Sequence, residues 1–337
     1  MTGSTRIAVI GLGNIAHKHA EVIAALPGAE IVAGVRRDVD LGKAFCQSYG
    51  ISHFFQSTEA LLSWGDFDAA VVTCGHHFTV EISQAVLSTG RPCLVEKPVG
   101  FSKTETQSVL DAAEAGSTWG MVAVNRRFYS IIRKARELIA DSGGLRAIRV
   151  EHTEWMHQSA MWGLADDLLD RFFYINGIHL IDTMCYLAGI PESTNTEVRQ
   201  FPGRRNAYDA MFRFPCNTVG HYSGQWYAPG RWALDLFAED LRITFPRMEE
   251  ALIQRTGQDP EPLSLDPIDQ KFKPGFYRQM ETFVKLLQDG IGKCAPEQMA
   301  AACLLPEAVG VMGVVDAVAA MPSHTACHLS EQNSALP

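Results

Sequence analysis

"RIAVIGLGNIAHKHAEVIAALPG", residues 6–28, decides the fold. The apolar run Ile7 to Ile10 stops at glycine, as a buried strand does. Ile15, His19, Val22 and Ile23 then recur at helical spacing until Pro27-Gly28 ends the pattern. Between strand and helix lies "GLGNIA". Gly11 permits a tight turn, Gly13 lets the backbone come close to a pyrophosphate, and Ala16 replaces a third glycine and keeps helix and strand close. Asn14 and Ile15 open the helix, where free N–H groups meet phosphate. G-x-G-x-x-A alone is a weak signal. Its place between a first strand and a first helix gives it weight as a dinucleotide site.

The same alternation continues outward. "AEIVAGV", "FDAAVVTCG", "CLVEKP" and "MVAVN" read as strands, and "DLGKAFCQSYG", "STEALLSW", "TVEISQAVLSTG" and "SKTETQSVLDAAEAG" as helices. Alternating strands and helices predict a parallel sheet covered on both faces, an α/β doubly wound domain over residues 1–122. From residue 123 the pattern changes. "LRAIRVEHTEW", "VRQF", "YDAMFRF", "TVGHYSGQW", "WALDLFAE" and "LRITF" are β-rich runs broken by Pro, Gly and Asn, a meander. "FYRQMETFVKLLQDG" and the run from Pro296 to Met321 read as helices, the latter interrupted at Pro306. This makes residues 123–322 a second, α+β domain, and 323–337 a loose tail whose His324, Cys327 and His328 are read as terminus rather than metal site.

The bulk composition excludes several functions. A net charge of −9 over 337 residues disfavours nucleic acid and anionic membranes as partners. The opening residues show neither a signal peptide nor a spanning helix, and the eight cysteines have no C-x-x-C pair. The expectation is a cytoplasmic protein with reduced thiols and no metal.

Three motifs stand in a specific order: GLGNIA, then "EKP" with "NRRF" after the next strand, then "GIHLID". With them the chain resembles the glucose–fructose oxidoreductase / inositol dehydrogenase / MocA family, over nearly its whole length. The resemblance implies a Rossmann domain followed by a domain on a large, mainly antiparallel sheet. The open face of that sheet would form a homodimer or homotetramer. It also implies NAD(P)-dependent hydride transfer at a secondary alcohol or ketone of a sugar, sugar derivative or cyclitol. Two other uses of the fold stay open: a dinucleotide-binding regulator without turnover, and an NAD-dependent glycosidase or imine reductase.

Residue by residue, Lys97 stands at a strand's carboxyl end, braced by Pro98, where an alcohol proton has to be handled. Glu96 is its neighbour in the strand and is counted with the cofactor residues. His179 is the second catalytic candidate, and Asp182 shares its helix face at i,i+3. Arg36 and Arg37 close the second strand, where an acid would serve the ribose of NAD and an arginine a 2′-phosphate. That favours NADP(H), with Asp38 on the ribose as the alternative. Thr73 and Asn125 are placed beside the cofactor, and Gly75 and His76 either line the nicotinamide side or belong to an ordinary loop. Arg126, Trp162, Arg171 and Asn176 are placed at the substrate together with Lys97, His179 and Asp182. Trp155 lies in the same loop as Trp162 and Arg171, and the alternative for all three is ordinary hydrophobic packing between the domains. Arg127 is read as an ion-pairing residue.

The chain departs from the family at one telling point. Relatives often place an aspartate four positions before the histidine, and here Ile175 occupies that position. Isoleucine cannot bond a hydroxyl, which leaves Lys97 and His179 as the proton-handling pair. Tyr174 or Asn176 is the candidate replacement.

Overall fold

The computed structural model describes residues 4–156 and 163–320. Trp162, Met321 and the tail 323–337 lie outside the described residues.

The first half builds β1 (Thr5–Ile10), β2 (Ala29–Val35), β3 (His53–Phe55), β4 (Ala69–Val72), β5 (Cys93–Glu96) and β6 (Gly120–Ala123). All are parallel, and the order β6-β5-β4-β1-β2-β3 places the strand-order reversal beside β1. In such sheets the ligand crevice lies beyond the strands' carboxyl ends at that reversal. Ile7, Val9, Val71, Leu94 and Val95 are fully buried, because helices cover both faces. Each such side chain contributes about 1.5–3 kcal/mol on leaving water.

Local chemistry sets the helix ends. The Asp38 side chain accepts from Leu41 N–H and caps helix Val39–Tyr49, which Gly50 ends at a positive φ of 66°. Ser57 and Ser102 cap helices Thr58–Trp64 and Lys103–Ala115 in the same way.

The second sheet comprises β7 (Ala147–His152), β8 (Ser193–Arg199), β9 (Ala207–Arg213), β10 (Val219–Gln225), β11 (Trp232–Ala238), β12 (Leu241–Arg247), β13 (Glu250–Arg255) and β14 (Glu261–Leu263). Its order is β14-β13-β12-β11-β7-β10-β9-β8, antiparallel except where β10 runs parallel to β7. Helices Ile178–Ala188 and Leu305–Ala319 pack on one face. The other face carries ion pairs, Arg199–Asp209 and Arg242–Asp235 among them, with Met211 and Leu252 exposed.

One sequence expectation needs correction at the C-terminal end. Pro306 does not interrupt a helix. Helix Pro296–Ala301 stops first, Cys303–Leu304 forms β15, and Pro306 lies in the first turn of Leu305–Ala319. There its missing N–H costs nothing, since first-turn N–H groups have no helical acceptor. β15 pairs antiparallel with β6, so it extends the first sheet. The helix after it packs on Lys103–Ala115, where Asp316 accepts from Lys103 N–H at 2.8 Å. The expected boundary after residue 122 falls within β6, whose last residue is Ala123, and the chain's end returns to the first sheet. Helix Phe276–Asp289 likewise packs on helix Asn14–Ala25.

Candidate active site

The glycine loop is built from backbone. Gly11 holds a φ of 96°, and a Cβ there would lie 2.5 Å from the Cys74 backbone, so only glycine fits. Around Gly13 a Cβ would meet nothing within 4 Å, which leaves its backbone open to a ligand. A cleft of about 560 Å³ opens here, lined by Gly11, Gly13, Arg36, Arg37, Ser57 and Thr73 among others. That volume suits a nucleotide-sized ligand. Asn14 and Ile15 open the helix beside it without lining it. The Thr73 hydroxyl donates to Gly11 O at 2.7 Å, so it fixes the loop rather than reaching outward. Arg36 donates to Leu12 O, and the Arg37 guanidinium lies 4.8 Å from the Phe78 ring centroid. Asp38, the alternative ribose partner, lines the same cleft while one of its oxygens caps the next helix.

β5 delivers Glu96 and Lys97 to the same edge. Glu96 is bound to His19 Nε2 at 2.9 Å, tying the strand end to helix Asn14–Ala25. Burial by itself raises the Glu96 carboxyl. The hydrogen bond from His19 and the charges of Lys97 and Lys273 outweigh it and hold the carboxyl below the usual range. Lys97 precedes a cis peptide bond to Pro98. Its ammonium donates to the backbone carbonyl of Ile175 at 2.9 Å. Burial pushes it down to about 8, with Glu96 opposing and Arg126 and Lys273 reinforcing the shift.

The carbonyl answers the question raised by Ile175. Residues Phe173–Gly177 wind as one π-helical turn ahead of helix Ile178–Ala188. Such a turn interrupts the i→i−4 ladder and is enriched at functional sites. Gly177 allows it, since a Cβ there would lie 3.0 Å from the Phe173 ring. Lys97 therefore has a neutral acceptor where relatives often offer a carboxylate. A carboxylate would raise the lysine's pKa, whereas a carbonyl leaves burial in control.

His179 lies partly buried on the helix after that turn, with its ring centroid 5.9 Å from that of Trp232. Burial, with the positive charges of Arg126, Lys97 and Lys273, drives its imidazole well below the usual value. It is neutral at physiological pH. Arg126 stands over the Trp232 ring at 4.7 Å, and its Nε has no hydrogen-bond partner among the described residues. His76 is held neutral too, at about 4, by burial and the Lys97 charge.

Several expected site residues face other work. Asp182 does not orient His179; it is buried and takes three hydrogen bonds from Arg127 at 2.6–3.1 Å. Arg127 is itself fully buried and also reaches Glu307 at 2.7 Å, so the ion-pair reading of Arg127 matches the geometry. Asn125 donates to Pro274 O at 2.9 Å and holds the 273–275 turn. Asn176 donates to Glu154 at 2.6 Å, and Trp232 Nε1 donates to the same oxygen at 2.7 Å. Arg171 lies 5.0 Å from the Phe101 ring centroid. Among the described residues no cluster of three or more His, Cys, Asp or Glu side chains is placed to hold a metal. Glu154, Trp232 and Lys273 went unnoticed in the sequence. Only the placement of Glu154 just past β7 hinted at a site.

A glycine loop at the sheet's strand-order reversal, with a basic second strand end, defines a dinucleotide-binding protein with a separate sheet domain behind its cleft. The chain belongs to the Gfo/Idh/MocA oxidoreductase family. Residues 5–124 match its "Oxidoreductase family, NAD-binding Rossmann fold" and residues 132–245 its "GFO/IDH/MocA C-terminal domain". Among curated proteins it is similar to mouse (Mus musculus) trans-1,2-dihydrobenzene-1,2-diol dehydrogenase, 27% identical over 150 residues, 43% of this chain and 45% of that protein. It is 29% identical to the rabbit (Oryctolagus cuniculus) enzyme of that name over 226 residues, 64% of this chain and 67% of that one. The chain thus spans about half to two thirds of the curated relatives it matches. A dehydrogenase from Chromobacterium violaceum shares the fold, with a TM-score of 0.81 at 16% identity over 94% of both chains.

Proposed function

We propose that this protein is an NAD(P)-dependent dehydrogenase or reductase acting on a secondary alcohol or ketone of a sugar-like or cyclitol substrate. The observation that carries the reading is Lys97 at the carboxyl end of β5, held by the Ile175 carbonyl at 2.9 Å and partly withdrawn from water. A bound dinucleotide supplies the acceptor or donor of a hydride. The protein's own task is the proton. In oxidation neutral Lys97 accepts the alcohol proton at Nζ, and in reduction protonated Lys97 returns one to the carbonyl oxygen. His179, neutral throughout, orients the hydroxyl. The Ile175 carbonyl fixes the lysine in both directions, since it accepts from either form.

Arg36 and Asp38 both line the cleft, and we assign the selecting contact to Arg36, for NADP(H) over NAD(H). Seven cysteines among the described residues are free thiols, which fits a cytoplasmic setting. No helix among the described residues is long and apolar enough to cross a membrane. The open sheet face, with Met211 and Leu252, is the surface we assign to a homodimer or homotetramer.

The test is Lys97→Ala, followed by nicotinamide absorbance across a polyol panel. Turnover is expected to fall about 10³-fold with cofactor binding retained. In the wild type, oxidation should rise with pH through an ionisation near 8 and reduction should fall across it, because each direction needs the opposite form of Lys97. Normal turnover by the variant would overturn the reading.

A further inference from the structure

Arg126 and Arg127 are chain neighbours with opposite surroundings. Arg127 has Asp182 and Glu307. Arg126 has no ion pair among the described residues, and residues 157–162, "HQSAMW", contain no acid that would supply one. It lines a cleft of about 530 Å³ with Thr153, Glu154, Trp232, Arg247 and Glu249 among others. Neither of the two acids in that cleft forms an ion pair with Arg126, although the Glu249 charge favours its ionised form. Glu154 is engaged by Asn176 and Trp232, while Glu249 is exposed to solvent and accepts from the Tyr129 hydroxyl at 3.4 Å. On the inner side Lys97 and Lys273 add positive charge, while the acids there are engaged, Glu96 by His19 and Asp182 by Arg127. The guanidinium carbon stands over the Trp232 ring, 4.7 Å from its centroid, which restrains the fork. A guanidinium so held offers parallel donors spaced for a planar anion.

We infer that the substrate carries a carboxylate, taken bidentately by Arg126, with its reacting hydroxyl toward Lys97 and His179. The substrate class is a polyhydroxylated carboxylic acid rather than a neutral sugar. This rests on the dehydrogenase reading above and narrows it. An anion there relieves a partly desolvated cluster of three cations, a gain that a neutral polyol does not provide.

The experiment offers the cofactor-loaded protein gluconate, glucuronate and galacturonate, each beside its neutral methyl ester or amide. Turnover and calorimetric binding are both measured. Wild type is expected to prefer at least one acid to its neutral counterpart by about 100-fold, carried mainly in KM. Arg126→Gln should abolish that preference while still binding cofactor, and Arg126→Lys should restore part of it. Equal handling of acid and ester overturns the inference, as does a preference that survives in Arg126→Gln or the failure of every acid to bind. Turnover of neutral polyols alone overturns it and leaves the dehydrogenase reading standing. Arg126-dependent binding of an acid with no turnover overturns the dehydrogenase reading and leaves the carboxylate assignment standing.

Discussion

Lys97 and Arg127 are both cations withdrawn from water, and the protein treats them in opposite ways. Arg127 is fully buried between Asp182 and Glu307, and those charges hold it ionised against the cost of burial. Lys97 receives one neutral carbonyl at 2.9 Å, with its strand neighbour Glu96 engaged by His19. Paired charges make a fixed post between helix Ile178–Ala188 and the segment after β6. An under-compensated charge makes a group that gains and loses a proton near pH 8. The lesson is that the partner, more than the burial, decides whether a withdrawn cation is structural or chemical.

The largest effect that would sharpen this contrast is Arg127→Met. It strands Asp182 without a partner, so stability should fall by about 3–5 kcal/mol in denaturant unfolding. Adding Asp182→Leu should recover most of that loss. A single variant that unfolds like wild type would break the comparison. Lys97→Met should do the reverse in cofactor-free protein, leaving stability equal or improved at neutral pH. The sign follows from the depressed pKa. Folded Lys97 loses its proton near 8 and the unfolded chain near 10.5, so wild-type stability falls as pH drops from 10.5 to about 8. The variant's advantage, on the order of 1–3 kcal/mol, should be full below pH 8 and vanish above 10.5. Parallel stability–pH curves for the two proteins would contradict it. Arg36 lies between the extremes, bound to one carbonyl and open to the cleft. Arg36→Ala should weaken NADP(H) about 10-fold and NAD(H) much less, read by fluorescence titration. Equal losses for both would remove the 2′-phosphate role.

The first domain was readable apart from β3, whose three residues His53–Phe55 carry no pattern. Its information is local: apolar runs buried on both faces, caps at Asp38, Ser57 and Ser102, and a glycine loop whose Gly11 tolerates no side chain. Motif order singled out Lys97 and His179, the pair on which the proposed function rests. What stayed hidden depends on contacts distant in sequence. Asp182 shares a helix face with His179, and periodicity alone could not show that Arg127 claims it from 55 residues away. Asn125 was placed at the cofactor through the NRRF motif, and Asn176 as a polar group next to Ile175. Their partners, Pro274 O and Glu154, are brought near only by folding. β15 was missed because two residues carry no periodic pattern.

The sequence by itself determined the glycine loop, the alternation that makes the parallel sheet, and a lysine at the end of β5. Each of these follows from side-chain size, spacing or backbone freedom within a few residues. Only the tertiary structure decided how that lysine is held. Ile175 has a side chain useless for the purpose, and nothing in its identity shows that the carbonyl behind it meets Lys97 across 78 residues. Every residue carries such a carbonyl, so which one serves is settled by where the π turn places it.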